Sequence, residues 1–147
     1  MLLLCGTALS ADRRMITTKE ASELVYALLE PDGWTKLPGF TIVNPYTDAN
    51  FPGFYIVHAE HYNPGGGSAI GHFAVERTTG EVMDWVMCGR FTSPSLTREQ
   101  KVIRNRIGLT KQEYQRIKKP GPFCEVGEKE QVRKMGRPMV RTDRSSH

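Results

Sequence analysis

The chain has 147 residues, 39% of them hydrophobic and 24% charged, with a formal net charge of +4. That length and apolar share suit one compact domain with a single core and exclude a second one. No apolar run is long enough to span a bilayer, which excludes a transmembrane helix as the organising element.

Residues 1 to 11 open the chain with Leu2-Leu3-Leu4-Cys5 and close on Ala8-Leu9-Ser10-Ala11 before Asp12-Arg13-Arg14. A short apolar run ending in small residues has the form of an export signal cut after Ala11. The run lacks the basic residues that usually precede it, so an earlier start is expected. The expected division is a truncated signal at 1–11, one α+β domain at 12–126 and a disordered basic tail at 127–147, with the mature protein periplasmic or extracellular. Loss of Cys5 with the signal leaves Cys88 and Cys124, and an even pair in an oxidising compartment predicts a disulfide. Closing that loop is worth about 4 kcal/mol at most.

Thr17-Thr18-Lys19-Glu20 is a capping box, and Ala21, Leu24, Val25, Leu28 and Leu29 follow at helical spacing, predicting a helix over 18–30 stopped by Pro31-Asp32-Gly33. A short extended piece around Phe40, Ile42 and Val43 leads into a turn-rich stretch ending at Phe51-Pro52-Gly53. Strands are predicted at 54–62 and 69–77, joined by Asn63-Pro64-Gly65-Gly66-Gly67-Ser68 as a flexible tip. Thr78-Thr79-Gly80 turns the chain into a third strand at 81–88, completing an antiparallel meander. Alternation places Phe73 and Val75 on one face with His72, Ala74 and Glu76 on the other, and the first helix carries the stripe to cover the greasier face.

Thr97-Arg98-Glu99-Gln100 predicts a second helix from a capping box, ended by Gly108, and Thr110-Lys111-Gln112-Glu113 a third, with Leu109 and Tyr114 as its hydrophobic staple. Between Thr97 and Lys119 there are eight Lys/Arg against two Glu, a local charge of +6. Such a surface steers acidic partners. Interleaved aromatics are missing apart from Tyr114, which disfavours nucleic acid.

Candidate chemistry is sparse. His58 and His61, three apart in a strand, fall on opposite faces, whereas His58 and Glu60 share one and His72 lies on the adjacent strand, so a His58/Glu60/His72 metal site is the enzymatic alternative. Gly-Gly-Gly-Ser68 is neither a nucleophile elbow nor a phosphate loop. Glu76, Glu81 and Asp84 flank one turn and read as ordinary charges on surface strand positions. No catalytic residue, metal ligand set or cofactor site is therefore assigned. The surface ingredients for gripping a protein are Tyr46, Phe51, the glycines Gly65, Gly66 and Gly67, and the cations Arg98, Lys101 and Arg104.

The stretch Phe54-Tyr55-Ile56-Val57, then Gly65-Gly66-Gly67, then Phe73 to Val82 with Thr78-Thr79-Gly80-Glu81-Val82 at its turn, resembles two groups of small exported α+β proteins. One is the PepSY-like domains; the other is the NTF2-fold immunity proteins, which neutralise a toxin by binding it. The resemblance covers about half the chain and rests on turn chemistry. It implies binding without catalysis and transfers no catalytic residue. The expected function is a non-enzymatic, exported binding or inhibitory module whose partner is a protein such as a toxin or a cell-wall hydrolase. A small metal-dependent hydrolase and an envelope protein holding anionic polymer through Arg98, Lys101, Arg104 and Lys111 are the alternatives.

Overall fold

The computed structural model describes residues 15–118. The expected signal, the tail from 127 and Cys124 lie outside the described residues. The elements are α1 (Thr18–Leu29), a 3₁₀ turn at Trp34–Lys36, β1 (Thr41–Ile42), β2 (Phe54–Asn63), β3 (Gly66–Glu76), β4 (Val82–Asp84), α2 (Pro94–Ile107) and α3 (Lys111–Ile117). The four strands form one antiparallel sheet in the order β1-β2-β3-β4, so the expected α+β meander with an N-terminal helix and two C-terminal helices is present.

α1 starts where its capping box says it should: the Thr17 hydroxyl accepts from the Glu20 N–H, and the Glu20 carboxylate takes the Thr17 N–H at 2.7 Å. Its buried stripe, Ala21, Leu24, Val25 and Leu29, packs with Leu96, Ile103 and Ile107 of α2 onto one sheet face. That face is Tyr55, Val57 and Ala59 of β2, Phe73 and Val75 of β3, and Val82 of β4. Residues at the alternate positions, Phe54, Ala74 and Met83, form a smaller cluster on the opposite face with Phe51 and Trp85.

Three sequence expectations shift. The glycine-rich tip is strand rather than loop, since Asn63 pairs with Gly66 and Tyr62 with Gly67, leaving a two-residue turn at Pro64-Gly65. The Asn63 side chain fixes that turn by accepting from the Gly65 N–H at 2.9 Å. The third long strand stops at Asp84, because its carboxylate captures the N–H groups of Val86 and Met87 at 2.8 and 2.6 Å and curls the chain away from the sheet. Cys88 completes the turn in the left-handed region at φ 58°. α2 begins at Ser93-Pro94 instead of Thr97: the Ser93 hydroxyl caps the Leu96 N–H at 3.1 Å and Pro94 occupies the first turn. Gln100, the supposed closing residue of a Thr97 box, is buried and donates to the Gly80 carbonyl at 2.9 Å.

A buried carboxylate joins the β3–β4 turn to both C-terminal helices. Glu81, 6% exposed, accepts from Arg104 at 2.6 Å, Arg90 at 3.1 Å and the Tyr114 hydroxyl at 2.5 Å. Arg104 also donates to the Thr79 carbonyl at 2.8 Å and lies 4.1 Å from the centre of the Tyr114 ring. Removing the carboxylate leaves two half-buried guanidinium groups facing each other. Glu81→Ala is expected to cost about 3 kcal/mol or more of unfolding free energy in urea denaturation, against less than about 0.5 kcal/mol for the exposed Arg98→Ala. Equal effects of the two would show that the network contributes nothing specific.

Candidate functional site

The sheet face turned away from the helices carries a pair of facing histidines. Register decides this. From the Pro64-Gly65 turn, pairs run Asn63↔Gly66, His61↔Ser68 and Glu60↔Ala69; then Ala59 pairs with Gly71, so Ile70 is an extra residue in β3 and the register moves by one. Beyond that bulge His58 stands directly opposite His72. The carbonyl of His58 accepts from Val43 on the β1 side and that of His72 from Trp85 on the β4 side, so the two residues turn their backbone groups away from one another. This is the non-hydrogen-bonded kind of antiparallel pair, in which side chains come closest.

The imidazoles accordingly meet with their Nδ1 atoms 2.8 Å apart and their planes at 85°. The Tyr46 hydroxyl is 3.3 Å from His58 Nε2, and the backbone of Tyr46 pairs with Ile56 along the β1-side edge of β2. Burial, the neighbouring His72 charge and, in opposition, Glu60 together hold the His58 pKa below its ordinary value. His61 points to the other face, where its Nε2 meets the Ser68 hydroxyl at 2.7 Å. The sequence expectation that His58 and His61 face opposite ways therefore holds. Among the described residues, no group of three or more His, Cys, Asp or Glu is placed to hold a metal ion; Glu60 does not complete a chelate with the two histidines.

Beside this pair lies an apolar ledge. Phe51 meets Trp85 edge to face, centroids 5.3 Å apart, over buried Phe54, Ala74 and Met83. The turn that follows presents Val86 at 68% and Met87 at 79% exposure. Its backbone is held by Asp84, whose N–H also donates to the Gly89 carbonyl at 2.8 Å. Large apolar side chains on a fixed turn are a common form of binding surface. The sequence hides this turn because Met83, Trp85 and Met87 continue the strand alternation.

The residues singled out from sequence do not form one patch. Tyr46 and Phe51 belong to the outer sheet face. Gly65 sits in the hairpin turn and Gly66 and Gly67 in the paired strand beyond it. Arg98 and Lys101 are exposed on α2, in the layer on the other side of the sheet, together with Lys111, Arg116 and Lys118 of the α3 region. Arg104 turns inward to Glu81, and Arg106 clamps the Glu20 carboxylate at 2.5 and 2.8 Å, so these two cations belong to the fold. Glu76 and Glu81, read as surface charges, are instead buried. Glu76 accepts from the Thr78 and Thr79 hydroxyls at 2.9 and 2.5 Å, which fixes the turn that begins β4. Cys88 is placed by its turn, while its expected partner Cys124 lies outside the described residues.

No protein-family model matches the chain, and no curated protein matches it either. Among solved structures, one chain of a type VI secretion system effector–immunity complex from Pseudomonas protegens is similar, with a TM-score of 0.56 and 21% identity over 68% of this chain and 84% of that one. The likeness is one of fold. Nothing in these comparisons supports the PepSY-like resemblance. No helix among the described residues is long and apolar enough to cross a membrane.

The depressed His58 pKa sets a direction for pH dependence. The unfolded chain takes up a proton near the ordinary value of 6.5 while the folded chain resists it, so this contribution to stability is complete above that pH and is lost as pH falls through it. The facing groups are His72, Glu60 and the Tyr46 hydroxyl. Glu20, on which burial acts upward but the bonds from Arg106 and Thr17 prevail, is held low and acts only below its ordinary 4.5. Thermal melts between pH 8 and pH 5 should show a fall in Tm that is smaller in His58→Asn; parallel curves for the two proteins would remove His58 from the account.

Proposed function

We propose that this chain is a non-enzymatic, exported protein-binding module of the immunity type, which neutralises a toxin or a cell-wall hydrolase by covering it. The observation that carries the reading is the pinned apolar turn Trp85-Val86-Met87 at the border of the outer sheet face: two large side chains stand in solvent on a backbone already ordered, so little entropy is lost when a partner covers them. The fold likeness to a chain of an effector–immunity complex supports a protein as the partner. The exposed cations Arg98, Lys101, Lys111, Arg116 and Lys118 suit a target with an acidic surface.

The two surfaces have different roles in binding. Apolar anchors set the lifetime of a complex, whereas exposed rim charges raise the encounter rate and lose that influence in salt. Export goes together with oxidation: a Cys88–Cys124 bridge would tie the segment after α3 to the turn that carries Val86 and Met87.

Copurification from the native host, followed by binding kinetics with the captured protein, tests the reading. Met87→Asp combined with Val86→Ser is expected to speed dissociation about thirtyfold or more, the equivalent of one hot-spot residue. Arg98→Glu with Lys101→Glu should lower the association rate at low ionic strength and leave dissociation nearly unchanged. Hydrolysis of an envelope substrate by the purified chain, or capture of no protein, would overturn the proposal. Mass analysis of the exported protein under non-reducing conditions should show Cys88 and Cys124 linked; two free thiols would count against export and bridge together.

A further inference from the structure

Cross-strand histidines this close need a reason. Two half-exposed imidazoles opposite one another contribute little to a core, and when both are protonated they repel. The chain nevertheless sets them in the closest kind of antiparallel pair, just past a bulge that brings them into register. Bulges commonly re-aim side chains beside functional sites.

From this geometry we propose that His58 and His72 form a two-histidine site for a divalent transition-metal ion with tetragonal geometry, Cu(II) above all, with the remaining positions open to water or to a donor from another molecule. The separation suits a chelate. Two imidazole nitrogens about 2.0 Å from one ion lie about 2.8 Å apart when they subtend a right angle and about 3.3 Å apart at a tetrahedral angle. The Nδ1 atoms, 2.8 Å apart across the hydrogen bond that joins the rings, already stand near the right-angle spacing of square-planar Cu(II) or Ni(II). Of those two, Cu(II) binds nitrogen donors more strongly.

Tyr46 supplies the outer support that metal-binding histidines usually have. Its hydroxyl oxygen stands 3.3 Å from His58 Nε2 and can accept that N–H, which leaves Nδ1 as the unprotonated, ligating nitrogen. His72 needs the same tautomer, so binding replaces the Nδ1–H bridge between the rings by the ion, with a shift of one ring proton from Nδ1 to Nε2. No redox step is involved. Both rings must tilt so that their lone pairs converge on a point beside the line joining the nitrogens; the exposure of His72 leaves room for this. Because the site offers two protein ligands, it binds without supplying a catalytic constellation. It also stands apart from the partner-binding proposal, since it requires only this chain.

The test uses the full chain without an affinity tag, titrated with Cu(II) and followed by calorimetry, by tryptophan quenching and by electron paramagnetic resonance. The backbone N–H of Trp85 donates to the His72 carbonyl, which sets Trp85, just past the end of β4, beside His72 and brings an indole near an ion at the site. One equivalent of Cu(II) is expected, with quenching and a tetragonal spectrum split by two imidazole nitrogens, and with Ni(II) bound more weakly. His58→Ala and His72→Ala should each abolish stoichiometric uptake, His61→Ala should leave it intact, and Tyr46→Phe should weaken it about tenfold. Unchanged uptake by the His58→Ala/His72→Ala double variant overturns the site. So does a wild-type spectrum without two equivalent imidazole nitrogens, a readout independent of how any variant folds.

Discussion

Everything in this fold turns on one extra residue, Ile70. Counting from the Pro64-Gly65 turn, strict pairing would set Val57 opposite His72 and Ile56 opposite Phe73. Because strand side chains alternate, that register would send Phe73 and Val75 to the outer face and bring His72 into the core. The bulge moves β3 by one position, so that Phe73 meets Val57 and Val75 meets Tyr55 beneath α1 and α2. Gly71, next to the bulge, is part of the same device: a Cβ there would come within 2.7 Å of the Phe73 ring. The residue that secures the core thus also creates the His58–His72 pair on the far side.

A second constraint closes the C-terminal half. Glu81 is nearly buried, and a buried carboxylate is tolerable only if every lone pair finds a donor. Arg90, Arg104 and Tyr114 come from the segment after β4, from α2 and from α3, so satisfying one carboxylate fixes the position of three parts of the chain. Burial, reinforced by the bond to Glu81, raises the Tyr114 pKa and keeps the hydroxyl a donor. At the other end Arg106 holds the Glu20 carboxylate that caps α1, tying the two long helices together across 86 positions of sequence.

Much of this was legible in the sequence wherever the determining interaction is local. The boxes Thr17/Glu20 and Thr110/Glu113 start α1 and α3, and Gly108 ends α2 in the left-handed region at φ 70°. Where two local signals compete, the reading failed. Ser93-Pro94 and Thr97-Gln100 both resemble helix starts, and the choice was made by the burial of Gln100 against Gly80. Asp84 sits in an alternating apolar run, and only its side chain's capture of two N–H groups ends the strand. Long-range pairing was illegible for a different reason: eight cations crowd one stretch, and nothing in their spacing tells that Arg104 turns toward a carboxylate 23 positions away while Lys101 does not.

The division of the surface follows from these constraints. Helices cover one sheet face, and their outer sides retain the positive charge once Arg104 and Arg106 have been drawn into the fold. Among the described residues no helix covers the other face, and its aromatic and imidazole groups lie between Tyr46 and Met87, with Glu60 beside them. A charged flank acts over a distance of about 8 Å at physiological ionic strength and selects by sign, whereas the apolar turn and the histidine pair act only on contact and select by shape and ligand chemistry. Because these surfaces lie on opposite sides of the sheet, a single small ligand cannot use both. A macromolecule reaching around the domain, or two successive encounters, can.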